Sequence, residues 1–219
     1  MTPDPLHLAA SWVAGTAGAS AALAWVRVGR SGLRLLLLAV TGAGAAGMAL
    51  TGAGAEALVV ALGLLVVAVT VRHPRRGIVG WLAAVGGGAV ATGDSGLALV
   101  GDGLLLGSIT AGLCLGHWFL VDPHLPRQPM RVLAWSGLAG LAVVAAITAT
   151  SEAGSGGLGR VVVPVAVVTG LVSAVTLAAV PRSLAVPTYK AVQSATGLFY
   201  VSTMSVGAFV IVASAIRAG

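Results

Sequence analysis

Apolar stretches about as long as a bilayer is thick follow one another along this chain, with only short gaps between them. Eight such runs stand out, at roughly 7–26, 33–51, 55–71, 77–93, 101–121, 130–149, 160–180 and 188–216. At ~1.5 Å of rise per residue, a helix of ~20 residues crosses a hydrocarbon core of ~30 Å. Charged residues make up only 8% of the 219, against about 25% in an average soluble domain. A water-soluble fold needs a polar shell, and 18 charges do not supply one. This excludes a soluble globular domain, a disordered chain and a disulfide scaffold. The expected fold is all-α: a polytopic membrane helix bundle of about eight transmembrane helices, forming a single transmembrane domain over 1–219 without a soluble domain.

Charge sets the expected orientation. With eight crossings, Arg27, Arg30, Arg34, Arg72, Arg75, Arg76, Arg127, Arg131, Arg182 and Lys190 fall on one side, ten of the twelve basic residues. The other side holds Asp4, Glu56, Asp94, Asp102 and Glu152, with Arg160 and Arg217 as its bases. Basic loops face the cytoplasm, so both termini are expected on the outer side of a cell (inner or plasma) membrane. The run at 77–93 is a poor helix former because of Gly86, Gly87 and Gly88. Removing it from the count would nevertheless put the Arg127/Arg131 gap opposite the Arg72/Arg75/Arg76 gap and destroy the segregation. Trp25, Trp81, Trp118 and Trp135 fall at the cytoplasmic ends of runs, where an indole ring prefers to sit. The net charge of +6 is thereby explained by orientation, and nucleic acid is not an expected partner. Met1 to Leu6 contains no Lys or Arg, so the first run is read as a retained span rather than a secretory signal. The one cysteine, Cys114, allows no internal disulfide and reads as a small hydrophobe.

Packing between helices in lipid relies on close approach through small residues. In the run at 101–121, Gly103, Gly107 and Ala111 form one row at four-residue spacing, and Ser108, Gly112 and Gly116 form a second. The rows are about 140° apart around the helix, which makes this span central, with two close neighbours. Pro164 is expected to kink the run at 160–180. The cytoplasmic turns His73-Pro74-Arg75-Arg76, His124-Leu125-Pro126-Arg127 and Pro181-Arg182 share a Pro-plus-base style that hints at repeated hairpins.

Polar groups inside a membrane are costly and are therefore the default functional candidates. The candidate pocket takes His117 and Trp118 from one run and Lys190, Gln193, Thr196 and Tyr200 from the last, opening toward the cytoplasm. Gln193, Thr196, Tyr200 and Thr203 share one helical face. Aromatic walls, hydroxyl donors and a titratable imidazole suit a quinone headgroup, with His117 able to relay a proton. The plainer alternatives are an interfacial anchor at His117-Trp118 and interhelical hydrogen bonding along the Gln/Thr/Tyr stripe. Lys190 and Asp122 are expected as interface charges. Asp102 is expected to be solvated near the outer mouth, with an ion ligand as the alternative, and Asp94 and Asp102 both read as helix-start residues. A bis-histidine haem, a metal site from His117, Asp122 and His124, and phosphate-loop or hydrolase motifs find no supporting spacing.

The functional expectation is an integral membrane subunit of a larger respiratory or oxidoreductase-type complex, anchoring it and contacting quinone near the cytoplasmic side. No self-contained catalytic motif is present, and neither a catalytic residue nor a metal ligand is assigned. The lipid bilayer and other protein subunits are the expected partners. A small-solute transporter or channel is the alternative, and a purely structural or assembly subunit a further one.

Overall fold

The computed structural model describes residues 5–25, Ala39, Gly42, 96–151 and 159–217. Five helices make up the described structure: α1 (Pro5–Trp25), α2 (Gly96–Val121), α3 (Gln128–Thr150), α4 (Gly159–Ser183) and α5 (Tyr189–Arg217). The runs at 55–71 and 77–93 lie outside the described residues, as does the run at 33–51 apart from Ala39 and Gly42. Asp94, Trp81 and the His73 turn also lie outside them.

Local chemistry places the helix ends. Pro129 occupies the first turn of α3, where its missing N–H costs no hydrogen bond. At the other end of α3, the Ser151 backbone N–H donates to the Ile147 and Thr148 carbonyls. Helix α5 is capped by Thr188, whose Oγ1 accepts the Ala191 N–H at 3.3 Å. Helix α4 runs through Pro164 without interruption, so the expected kink does not break the helix. Hydroxyls along the helices are satisfied by the preceding turn, as in Thr110 to Leu106 O at 2.8 Å and Thr148 to Val144 O at 2.7 Å. Apolar surroundings therefore meet no unpaired hydroxyl at these positions.

Helices α2 to α5 form an up-and-down four-helix bundle, with α1 packed against α2. Gly140 of α3 sits against the α2 backbone at Gly101 and Leu105, and Gly137 against Leu177 of α4 and Ser108 of α2. Helices α4 and α5 are stitched by Ser173 to Ser205 at 3.0 Å and Ser202 to Thr176 at 2.9 Å, with Phe209 lying over Gly170. Pairings at both ends show that α5 runs antiparallel to α2, since Arg217 meets Asp102 and Thr196 meets Gly116. Helix α1 instead runs parallel to α2: His7 meets Asp102, and Trp12 Nε1–H donates to Thr110 Oγ1 at 3.0 Å.

The core is filled by Phe119, Phe199, Leu105, Leu115, Met130 and Leu177, all buried. The outer face of α4 is the opposite case, exposing Val161, Val165, Val168, Leu171, Val172 and Val175. An unbroken valine-rich face of this kind is unfavourable in water and favourable against lipid. Helices α2, α3, α4 and α5 are each long and apolar enough to cross a membrane. The chain is a helical membrane protein.

Candidate functional site

Two polar sites occupy opposite ends of α2. The first is built at the end where α2 and α5 meet the loops Asp122–Arg127 and Leu184–Thr188. Gly112 and Gly116 let α5 approach closely, because a Cβ at Gly112 would meet the Phe199 ring and one at Gly116 would overlap Thr196. Beside this contact, His117 and Tyr200 face each other. The Tyr200 hydroxyl lies 2.7 Å from His117 Nε2, and the rings meet edge to face at a centroid separation of 5.6 Å. Tyr200 starts about two turns further along α5 than Gln193, yet it reaches His117 because helical side chains lean toward their helix N-terminus. In antiparallel helices that lean brings the two side chains together.

The other ring nitrogen defines the proton positions. His117 Nδ1 lies 3.0 Å from the Leu113 carbonyl oxygen, which only accepts. In the neutral imidazole the hydrogen is therefore on Nδ1, Nε2 carries the lone pair, and the Tyr200 hydroxyl donates to it. Thr196 Oγ1 likewise donates to Val192 O at 2.9 Å. A cavity of about 280 Å³ opens beside this pair, lined by His117, Tyr189, Gln193, Thr196, Gly197 and Tyr200 among others.

Of the residues expected in this pocket, His117, Gln193, Thr196 and Tyr200 are brought together. Trp118 and Lys190 do not line the cavity. Trp118 turns toward the hydrophobic core and Lys190 is exposed in the first turn of α5. Tyr189, which the sequence reading left out of the pocket, takes a place in its wall. The Asp122 carboxylate accepts the His124 N–H at 3.3 Å, turned onto its own loop. Nearby, Arg131 and Arg127 donate to the carbonyls of Leu184 and Val186, at 2.6 and 3.3 Å, and so tie α3 to the α4–α5 loop.

The second site corrects the expectation for Asp102. Its carboxylate is not solvated at an interface and does not cap a helix start: it lies six residues into α2 and is 0% exposed. Oδ2 accepts from Arg217 Nη2 at 2.7 Å and pairs with His7 Nε2 at 2.9 Å, with Ser11 Oγ 3.4 Å from the same nitrogen. Three helices thus contribute one ionisable side chain each to a single buried cluster. A buried carboxylate without a counter-ion is prohibitively costly in so apolar a setting, and the guanidinium answers it. The other carboxylate oxygen, Oδ1, has no hydrogen-bond partner among the described residues.

Between these ends, the row of Gly103 and Gly107 faces Gly15 of α1, where an added Cβ on Gly15 would overlap the Gly103 carbonyl. The row of Ser108, Gly112 and Gly116 faces α3 and α5. A larger cavity, about 660 Å³ between α3, α4 and α5, is lined by residues such as Leu141, Ala145, Val167 and Phe209 and carries no titratable side chain. Its two hydroxyl side chains, Thr148 and Ser151, donate to the Val144 and Ile147 carbonyls of α3, at 2.7 and 3.0 Å. No protein family, curated protein or solved structure matches the chain.

Proposed function

We propose that this protein is an integral subunit of a respiratory or oxidoreductase-type complex in the plasma membrane, and that it holds a quinone-type ring in the pocket beside His117 and Tyr200. The observation that carries this reading is the cavity itself. It is wide enough for one six-membered ring, walled by two tyrosines, and edged by hydrogen-bonding groups anchored on packed helices. Placement on the helices α2 and α5 fixes these groups more firmly than loop residues would be fixed.

The proposed topology is eight spans with both termini outside, which puts the pocket on the cytoplasmic side. Its support is the parallel course of α1 and α2. If α1 also spans, the chain between these helices crosses an odd number of times, and the three apolar runs at 33–51, 55–71 and 77–93 make an odd number.

Photoaffinity labelling of native membranes with an azido-quinone tests the reading. Labelling is expected within residues 116–120 and 189–200, and excess unlabelled quinone is expected to suppress it. Labelling confined to other residues, or unaffected by competitor, contradicts it.

A transporter remains the second reading, and the His7–Asp102–Arg217 cluster specifically favours it, because buried charges in a span line many solute pathways. Solute uptake by proteoliposomes containing only this chain, abolished by Asp102→Asn, would select that reading over the first.

A further inference from the structure

Resting on the pocket reading above, we infer that the site selects the reduced, hydroxyl-bearing form of the ring, a quinol, over the oxidised quinone. The hydroxyl groups that make the pocket look like a donor site for quinone carbonyls have already given their hydrogens away. With the His117 imidazole neutral, Tyr200 donates to Nε2 across 2.7 Å, and Thr196 donates to Val192 O at 2.9 Å. A hydroxyl has one hydrogen and two lone pairs, so both groups face a ligand as acceptors. The His117 ring cannot correct this, because its Nδ1 hydrogen is held by Leu113 O at 3.0 Å and its Nε2 lone pair by Tyr200. Gln193 and Tyr189 carry both roles and discriminate neither form. A quinol hydroxyl directed at Tyr200 therefore finds an acceptor. A quinone carbonyl placed there meets another oxygen lone pair and leaves its own hydrogen bond unmade.

Anaerobic equilibrium titration of the purified full chain with a short-tailed benzoquinol, and separately with its oxidised form, provides the test. The quinol is expected to bind more tightly by roughly fivefold, the equivalent of one hydrogen bond. The variant His117→Phe keeps a ring against Tyr200 but removes the acceptor and so releases the Tyr200 hydrogen. Quinone binding is then expected to rise by roughly fivefold and the preference to vanish. A parallel weakening of both forms in His117→Phe would show His117 to be a packing group and overturn the inference. So would equal binding of the two forms by the unsubstituted chain, or a ¹⁵N spectrum placing the His117 hydrogen on Nε2. Binding of neither form overturns the pocket reading itself, which separates that failure from the failure of the redox preference.

Discussion

Asp102 is the residue on which the second polar cluster turns. Its Oδ2 serves both Arg217 and His7, at 2.7 and 2.9 Å, from a position with no solvent exposure. Removing one partner of such a pair strands the other charge, at a cost of about 3–5 kcal/mol, whereas removing both together costs far less. Asp102→Leu is accordingly expected to lower unfolding stability in detergent by about 3 kcal/mol. Adding Arg217→Met should recover most of that loss, because no cation is left without its anion. Strictly additive losses in this double-mutant cycle would mean that the pair is not coupled. The cluster was hidden from sequence reading for a physical reason. Its members lie 95 and 115 positions apart, and each falls within two turns of a helix end, where water solvates a lone charge cheaply. One signal was available: His7, Asp102 and Arg217 share the same expected depth, with an acid among two bases. By contrast, His117, Gln193, Thr196 and Tyr200 were legible because helical spacing puts the last three on one face. What spacing could not show is the direction of the Tyr200 hydrogen bond, which depends on the Leu113 carbonyl one turn before His117.

At the scale of the helices, α2 is shaped by the absence of side chains. Gly103 and Gly107 admit the backbone of α1 at Gly15, while Gly112 and Gly116 admit Phe199 and Thr196 of α5. The two rows were readable directly from their four-residue spacing, since lipid offers no other strong reason to place glycine there. Gly15 was not, because it acquires its meaning only from the helix opposite. A Cβ at Gly107 would run into the backbone of Gly15, which has no flexible end to move aside. Gly107→Val is therefore expected to push α1 away from α2 and to destabilise the chain by about 2 kcal/mol, within the usual range for overpacking. A thermal-unfolding series in detergent checks this. An unchanged midpoint would show that α1 is not held by this contact.

The whole molecule places its two polar sites at opposite ends of one apolar bundle. The Asp122–Arg127 and Leu184–Thr188 loops share an end with His117, and Arg131 binds the Leu184 carbonyl across them. The His7–Asp102–Arg217 cluster occupies the other end. Among the described residues charge follows the same division, with Arg127, Arg131, Arg182 and Lys190 at the His117 end and Arg160 and Arg217 at the other. Substituted-cysteine labelling addresses this arrangement relative to the membrane directly. In a Cys114→Ser background, His124→Cys and Val186→Cys should react with a membrane-impermeant thiol reagent only when it is applied from the cytoplasmic side. Arg160→Cys should react only when the reagent is applied from outside. Reaction of positions 124 and 186 from opposite sides would contradict both the topology and the pocket.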